Sequence, residues 1–233
     1  MTSPKKNTWG RRVLRIFVIL LISHLLYAMA CRWLNPPITI TQAWNWMSGY
    51  GLQRNYIRYE QMGSSIKYAV LASEDQSYLE HEGIDMEAIE KAMEYNEKHP
   101  NKRRGGSTIS QQTAKNVFLW QGGGYFRKGL EAYFTVLIET IWDKQRIYEV
   151  YLNVLETGPG IFGVEAAANA YFNKSSADLT EEEAAMIAAC LPNPKKYSVK
   201  PLSRFVRWKS KWILRQMRHL KRDASIKALV GDP

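Results

Sequence analysis

The first apolar segment of the chain is long enough to cross a lipid bilayer. Within residues 13–31 only Arg15, Ser23 and His24 are not apolar, and a helix needs about 20 apolar residues to span a hydrocarbon core of about 30 Å. Arg15 lies near one end of the segment, where its long side chain can reach the lipid headgroups. The sequence therefore predicts one N-terminal transmembrane helix over residues 13–31.

The charges that flank this segment predict its orientation. Residues 32–53 contain only Arg32 as a basic residue, and no Asp or Glu precedes Glu60. Because positively charged flanks stay on the cytoplasmic side, we expect residues 1–12 to form a cytoplasmic basic tail. The rest of the chain is then expected on the periplasmic, outer face of the cytoplasmic (inner) membrane. The basic residues behind this prediction are Lys5, Lys6, Arg11, Arg12 and Arg15.

Two alternatives to a permanent anchor use the same segment. Ala28-Met29-Ala30 resembles the small-residue cleavage site of a signal peptide, and Cys31 could be the lipid-carrying residue of a lipoprotein. The apolar run is long for a signal peptide, and the residues before Cys31 match a lipoprotein site poorly, so we favour the uncleaved anchor. All three interpretations export the remaining chain.

Helical periodicity dominates the exported part, and strand-like alternation is scarce. Asn35-Pro36-Pro37 ends the first helix, and residues 32–60 are expected to form an aromatic, weakly charged linker next to the membrane. The Trp and Tyr residues of this linker could lie at the membrane interface or pack onto the domain. The sequence pattern does not favour either location over the other. Residues 61–233 are expected to form one mainly α-helical domain.

Caps and turns predict where the helices of this domain begin and end. Asp85 is an N-cap residue, and Thr180 opens a Thr-x-x-Glu capping box. Turns rich in glycine and proline at 121–124, 157–160 and 191–194 separate helices. The helical segments predicted in this way are 64–73, 85–99, 107–118, 128–154, 164–171, 180–190 and 202–221.

Composition and charge narrow the range of partners. The 233-residue chain is 45% hydrophobic, and its net charge of +10 suggests nucleic acid, a membrane surface or a phosphorylated substrate as partner. The basic, aromatic stretch 204–222 suits nucleic acid by composition, but export argues against it. We expect instead a helix packed on the domain, with basic residues facing solvent or anionic headgroups. Cys31 and Cys190 lack the spacing of a zinc site and are expected to be buried as small apolar residues.

Two carboxylates and a basic stretch are the candidate chemistry. Glu74 follows a predicted buried helix, so burial should raise its pKa and suit it to act as a general base. Glu131 follows on another predicted helix, and paired carboxylates are common at a glycosidic centre. Gly105-Gly106 allows close approach of the backbone to a ligand. The basic side chains that could hold a diphosphate are Lys102, Arg103, Arg104, Lys115, Arg127 and Lys128.

Five sequence blocks resemble, in order, the motifs of the peptidoglycan glycosyltransferases of family 51, in particular the monofunctional biosynthetic transglycosylases. The resemblance covers residues 60–215. Tyr78 and Ser110 replace the usual Phe and Thr, and Ser77 stands where a basic residue is common, which weakens one expected phosphate contact. The blocks are Glu74-Asp75-x-x-Tyr78-x-x-His81-x-Gly83, Gly105-Gly106-Ser107-Thr108-Ile109-Ser110-Gln111-Gln112 with Lys115-Asn116, Arg127-Lys128-x-x-Glu131, Ile147-Tyr148-Glu149-Val150-Tyr151-Leu152-Asn153, and Gly163-Val164-x-Ala166-Ala167-x-x-Tyr171-Phe172.

The resemblance implies a lysozyme-like helical fold and processive polymerisation of lipid-linked disaccharides. The acceptor is lipid II, whose 4-hydroxyl attacks C1 of a glycan linked to undecaprenyl diphosphate, and the product is β-1,4-linked. By motif position, Glu74 is the general base, and Glu131 supports the donor side by orienting diphosphate-binding groups or a divalent metal such as Mg²⁺ or Mn²⁺. The residues expected to bind substrate are Lys115, Arg127, Lys128, Ser107, Thr108, Gln111, Gln112, Asn116, His81 and Asp75.

Within that set, Lys115, Arg127 and Lys128 are expected to neutralise the leaving diphosphate. The polar side chains of residues 107–112 are expected to hold sugar or phosphate oxygens. The expected partners are lipid II, the undecaprenyl-diphosphate-linked glycan, membrane lipids and other cell-wall synthesis or division proteins, with no nucleic acid among them.

Two rival functions remain at this point. A hydrolytic muramidase shares the fold class and a catalytic Glu, but it has no use for a group of diphosphate-binding cations. A catalytically silent membrane scaffold has no reason to keep both Glu74 and Glu131. Glu149 and Asn153 are expected to brace the site from within the domain.

Overall fold

A computed structural model describes residues 8–100 and 104–232 of the chain. Most of the predicted basic tail, and the predicted diphosphate-binding residues Lys102 and Arg103, lie outside the described residues. The chain divides after Asn35 into two compact units, which we describe separately.

Helices dominate both units, and the strands are short. The described helices are α1 (Thr8–Ala30), α2 (Ile40–Met47), α3 (Ser64–Glu74), α4 (Met86–Lys98), α5 (Ile109–Phe118), α6 (Tyr125–Ile141), α7 (Lys144–Val154), α8 (Val164–Phe172), α9 (Glu181–Cys190), α10 (Arg204–Leu220) and α11 (Ala224–Val230). The strands are β1 (Gln53–Arg54), β2 (Glu156–Gly158) and β3 (Ile161–Phe162). The predicted fold class, mainly α, is confirmed.

The first unit consists mainly of α1. This helix begins earlier than the predicted span of 13–31, so Arg11 and Arg12 of the predicted tail are helical. Its stretch Trp9–Ala30 is long and apolar enough to cross a membrane, judged by length and composition. Apolar side chains such as Leu20 are exposed, and an apolar surface of this kind is what a membrane-spanning helix requires.

The second unit is built on α3, whose side chains 66–72 are all buried. Helices α9 and α10 pack against α3 and against each other. Lys67 is the one charged residue in this buried stretch. Its Nζ donates to the Val230 carbonyl at 3.1 Å and lies 3.9 Å over the ring of Tyr59. These partners offset the cost of burying the Lys67 ammonium. The helix can therefore stay buried along residues 66–72, up to the turn that carries Glu74.

A second group of helices packs α5 against α6 and α7. The prediction of one continuous helix over 128–154 is wrong, because the chain breaks between α6 and α7. Trp142 is extended (φ −104°, ψ 151°), and Asp143 accepts the amide of Arg146 at 2.7 Å as the N-cap of α7. An Asp before a helical pattern is a start signal, which the unbroken apolar periodicity concealed.

Most other predictions of local structure are confirmed. Asp85 caps α4 by accepting a backbone amide at 2.8 Å, and Thr180 and Glu183 form the predicted capping box of α9. The helix predicted over 202–221 is α10. The sequence did not predict α11, which Asp223 caps. Both cysteines are buried, as expected.

The aromatic linker predicted over 32–60 is folded from Pro36 onward. Thr39 caps α2, and β1 pairs in parallel with β3, which pairs antiparallel with β2. Trp44 and Trp46 are exposed, whereas Tyr59 is buried. The segment therefore packs on the domain through some aromatic residues and exposes others, for which a place at the membrane interface stays a prediction.

Two motif residues of α7 hold this segment in place. Asn153 accepts the amide of Ile57 and donates to its carbonyl, each at 3.0 Å. Glu149 Oε1 accepts the amide of Tyr59 at 3.1 Å. These hydrogen bonds, which span about ninety residues of sequence, hold residues 57–59 against α7, and the expected bracing of the site itself stays a prediction.

Candidate active site

Glu74 ends α3 and is the half-buried carboxylate of the candidate site. Its Oε2 accepts from Gln112 Nε2 at 3.0 Å, and its Oε1 accepts from Ser73 Oγ at 3.0 Å. Burial raises the pKa of Glu74 above its ordinary value, and these hydrogen bonds and the field of Lys209 oppose that rise without cancelling it. A carboxylate with a raised pKa is suited to accept a proton near neutral pH.

Lys115 on α5 lies within the electrostatic fields of both candidate carboxylates. Burial lowers the pKa of Lys115, and the carboxylates of Glu131 and Glu74 oppose that change. The cations of Arg127 and Lys128 reinforce it. Within the part of the chain that the structure describes, the Lys115 ammonium makes no hydrogen bond or ion pair. A partly buried cation without a protein counter-ion is a ready anchor for an anionic ligand.

Glu131 on α6 is only 3% exposed and forms two ion pairs within its own helix. Its Oε2 pairs with Arg127 Nη1 and its Oε1 with Lys128 Nζ, both at 2.5 Å. The spacing of the Arg-Lys-x-x-Glu motif places the three side chains on one helix face. Lys128 also approaches Ser107 Oγ at 3.4 Å. Two cations around one carboxylate leave a net positive charge on this face.

The same geometry bears on a metal role for Glu131. Both carboxylate oxygens already have cationic partners, and no group of three His, Cys, Asp or Glu suited to a metal occurs among the described residues. Mg²⁺ needs several oxygen ligands in near-octahedral geometry. These residues do not fit a metal held by the protein, whereas Glu131 does fit a role in orienting Arg127 and Lys128.

Asp75 and His81, predicted to bind substrate, are engaged in holding the framework. Buried Asp75 accepts the backbone amide of Ile109 at 2.9 Å and the Nε2–H of His81 at 3.1 Å. His81 Nδ1 accepts the amide of Gly83 at 3.1 Å, which places the ring proton on Nε2. Asp75 therefore ties the end of α3 to the start of α5, the two helices that carry the candidate base and its amide partner.

Thr108 and Gln111 form the capping box that begins α5. Each accepts the other's backbone amide, and Thr108 Oγ1 also donates to the Gly83 carbonyl at 2.6 Å. Both side chains are buried and position α5, and the expectation that they also bind substrate stays a prediction. Ser107 is exposed and Asn116 is half-buried, and their contacts with substrate stay predictions.

The departures from the family motifs each have a local partner. The additional hydroxyl of Tyr78 donates to the carbonyl of the first residue of α7 at 2.8 Å. Ser77 Oγ donates to Asp85 Oδ2 at 2.8 Å, and Ser110 Oγ donates to Glu139 Oε1 at 2.5 Å. All three contacts lie inside the framework, and none of the departures removes a presumed catalytic group.

Sequence reasoning missed Lys209, a charged group close to Glu74. Burial lowers the pKa of Lys209, the carboxylate of Glu74 opposes the change, and Nζ lies 3.6 Å over the Trp212 ring. The basic residues of α10 were expected to face solvent or headgroups. The sequence does contain a sign of this position. Lys209 follows Val206 by three residues and precedes Ile213 by four, and this spacing places it on the same face of α10 as these two buried residues.

Comparison with known proteins gives one consistent result. The family described as Transglycosylase matches residues 41–218, more than half of the chain. The chain is 47% identical to a biosynthetic peptidoglycan transglycosylase of Haemophilus influenzae, with 94% of this chain and 91% of that protein covered. Proteins of the same name from Shewanella oneidensis and Escherichia coli K12 are each 45% identical, with 91% and 90% of both chains covered, respectively.

Proposed function

Because the chain belongs to the transglycosylase family, we propose that it is a peptidoglycan glycosyltransferase that polymerises lipid II into β-1,4-linked strands. Its second unit is the lysozyme-like transglycosylase domain, and its role lies in cell-wall synthesis. One observation carries the assignment of the site. A carboxylate with a raised pKa, Glu74, shares a site with Lys115, a partly buried cation that has no counter-ion among the described residues.

The proposed reaction begins with proton removal by Glu74. The carboxylate accepts the proton of the lipid II 4-hydroxyl as that oxygen attacks C1 of the donor sugar. The new C1–O bond forms on one face of the sugar, and the bond from C1 to the diphosphate oxygen breaks on the other, so an α-linked donor gives a β-linked product. The pair of electrons leaves with undecaprenyl diphosphate.

The cations of α5 and α6 stabilise the charge that develops on the departing diphosphate. Lys115 has no counter-ion in the described part of the chain, while Arg127 and Lys128 each form an ion pair with Glu131. Preorganised cations of this kind contribute several kcal/mol when they act on developing charge. In this proposal Glu131 is a positioning residue, since it acts through its two cationic neighbours.

The rival muramidase function is disfavoured by the same cations. Hydrolysis of a glycan strand releases no diphosphate, so a hydrolase gains nothing from Lys115, Arg127 and Lys128 in one place. Products separate the two functions directly, because a polymerase gives long strands from lipid II and a muramidase shortens strands that already exist.

The N-terminal helix α1 supports a single-pass membrane anchor. We propose the cytoplasmic (inner) membrane as its location, with the N-terminus in the cytoplasm and the catalytic domain on the periplasmic face, because basic residues flank the N-terminal end of the span. Both substrates carry lipid tails, so an anchored domain meets them at the bilayer surface at a raised effective concentration. Lipid contacts and other cell-wall synthesis or division proteins belong to this proposal; nucleic acid does not.

The requirement for a divalent cation stays a prediction. The described residues supply no ligand set for Mg²⁺ or Mn²⁺, so no step of the proposed reaction passes through a metal. Polymerisation measured over a range of Mg²⁺, Mn²⁺ and chelator concentrations tests this point.

The deciding experiment is polymerisation of purified fluorescent lipid II by the full chain in detergent. Wild type is expected to give long, lysozyme-sensitive strands, and Glu74→Gln is expected to lower the rate by about 10²–10⁴-fold because the base is gone. Glu182→Gln, which neutralises an exposed carboxylate of α9, is the control and should match wild type. Absence of strands from wild type under varied detergent and metal would contradict the function, and full activity of Glu74→Gln would contradict the base.

A further inference from the structure

Tyr151 of α7 extends the network around the base, and its role rests on the function proposed above. We propose that Tyr151 is a positioning residue that fixes the orientation of the Gln112 side-chain amide, so that the amide presents its N–H group, and not its oxygen, to Glu74. Tyr151 thus acts on the proton acceptor through Gln112 without contacting substrate itself.

The geometry joins three helices in one line of hydrogen bonds. Tyr151 is 1% exposed, and its hydroxyl donates to Gln112 Oε1 at 2.9 Å. Gln112 Nε2 in turn donates to Glu74 Oε2 at 3.0 Å. The chain of contacts therefore runs from α7 through α5 to the last residue of α3.

The hydroxyl of Tyr151 fixes the orientation of the Gln112 side-chain amide. A side-chain amide has one accepting end and one donating end. Among the described residues, the Tyr151 hydroxyl has no acceptor other than Gln112 Oε1, and a buried hydroxyl needs an acceptor. Burial also raises the pKa of Tyr151 well above its ordinary value, so the hydroxyl keeps its proton and its donor role throughout the working pH range.

The amide orientation controls how readily Glu74 ionises. An N–H that faces the carboxylate stabilises the charged form, whereas an amide oxygen there repels the carboxylate and accepts from the protonated acid. Without the Tyr151 hydroxyl, the ionised carboxylate is the one described group that still favours the N–H, and a protonated Glu74 can turn the amide oxygen toward itself. The pKa of Glu74 should then rise further, and a smaller fraction of the base should be ionised near neutral pH.

Other groups that face Glu74 remain in place when the Tyr151 hydroxyl is removed. Ser73 donates from the same helix, and Lys209 on α10 favours the charged form, while neighbouring Asp75 opposes it. Lys115 on α5 also interacts with the carboxylate. Because these contributions stay the same, the pKa of Glu74 changes only by the loss of the Gln112 hydrogen bond. Loss of one hydrogen bond to a charged group typically changes a pKa by about one unit.

Tyr151→Phe in the full chain tests the inference through the pH profile of kcat/KM. The acidic limb of the profile should move to higher pH by about one unit, so the rate at a pH on that limb falls by up to about tenfold and recovers on the alkaline side. Tyr148→Phe is the matched control. It removes the hydroxyl of another fully buried tyrosine on α7, which donates to the Lys67 carbonyl at 2.5 Å, and it should leave the acidic limb where it is.

Gln112→Ala separates positioning from a general loss of packing. If Tyr151 acts through the amide, Tyr151→Phe should produce no further displacement of the acidic limb in a Gln112→Ala background. An acidic limb that stays at its wild-type position in Tyr151→Phe, or that moves as far in Tyr148→Phe or in the Gln112→Ala background, overturns the inference.

A titration that needs no turnover keeps this inference distinct from the proposed reaction. Carbon-13 NMR of labelled glutamate carboxyl groups, with Glu74→Gln used to assign the resonance, reports the pKa of Glu74 in wild type and in Tyr151→Phe. A higher pKa in the variant supports the positioning role even if lipid II polymerisation fails, and an unchanged pKa overturns it even if polymerisation succeeds.

Discussion

Glu74 and Glu131 are two carboxylates in one site, and their surroundings differ in kind. Glu74 is half-buried at the end of α3, and its hydrogen bonds come from the neutral groups of Ser73 and Gln112. Glu131 is buried within α6, and both of its oxygens are paired with cations of its own helix. Glu74 is therefore bound by neutral donors, whereas Glu131 is bound by two cations.

The same residue type thus serves two roles in this site. A group that must take up and release a proton needs surroundings that keep its two protonation states close in free energy, as burial and neutral donors do for Glu74. A group that must hold cations in place needs both of its oxygens to contact them, as those of Glu131 contact Arg127 and Lys128. The two glutamates should therefore respond differently to the same neutralising substitution.

Glu131→Gln gives the largest expected loss of stability. Arg127 is 16% exposed, and it would lose its buried counter-ion. Removing one partner of a buried pair costs about 3–5 kcal/mol, and we expect about 3 kcal/mol because Lys128 is partly solvated. Thermal and urea unfolding measure the loss, and lipid II polymerisation should fall with it, because the two cations lose their fixed positions.

Glu87→Gln is the matched control for this change. Glu87 pairs with Lys91 on α4, one turn apart, but both side chains are mostly exposed. Its substitution should leave the free energy of unfolding close to that of wild type, because solvent screens the pair. If Glu131→Gln is as mild as this control, the carboxylate does not hold the cations, and its role must be sought elsewhere.

Lys115→Met is expected to lower activity without lowering stability. Lys115 has no counter-ion among the described residues, and burial lowers its pKa, so its charge does not stabilise the fold. Loss of one preorganised charge-stabilising group typically lowers kcat by about 10²-fold. Lipid II polymerisation and thermal unfolding measure the two effects, and Lys91→Met on the exposed face of α4 is the control. A loss of stability comparable to that of Glu131→Gln would show that Lys115 is part of the framework.

The part of the site carried by local sequence motifs could be predicted, and the part made by packing could not. The Arg-Lys-x-x-Glu spacing is shorter than two helical turns, so Glu131 and its cations had to meet once α6 formed. The raised pKa of Glu74 followed from its place at the end of an apolar helix. Lys209 lies 135 residues beyond Glu74 in the numbering, and only the packing of α10 on α3 brings it near.

The structural roles of the motif residues differ in how far the sequence could predict them. Thr108 and Gln111 sit in a motif with polar side chains that suit a ligand and an N-cap equally well. Their spacing is that of a capping box, which is a local signal that could have predicted their burial. The partner of Asp75, in contrast, is the amide of Ile109, and a contact over that separation depends on how α3 and α5 are arranged.

The smallest expected effect is a dependence of stability on pH that Glu74 alone produces. The folded state raises the pKa of this group above its ordinary value of 4.5, so the folded protein binds the proton more tightly than the unfolded chain does. The contribution of Glu74 to stability is therefore complete below pH 4.5 and is lost as pH rises through the folded-state pKa.

Glu74→Gln has no such proton to lose. The melting temperature of wild type, measured relative to that of Glu74→Gln, should fall as pH increases from about 4.5 toward neutrality, whereas wild type and the exposed-site control Glu182→Gln should remain parallel. A constant difference between wild type and Glu74→Gln over this range would mean that the carboxylate of Glu74 is as well solvated in the folded protein as in the unfolded chain, and the contrast with Glu131 would then rest on the ion pairs alone.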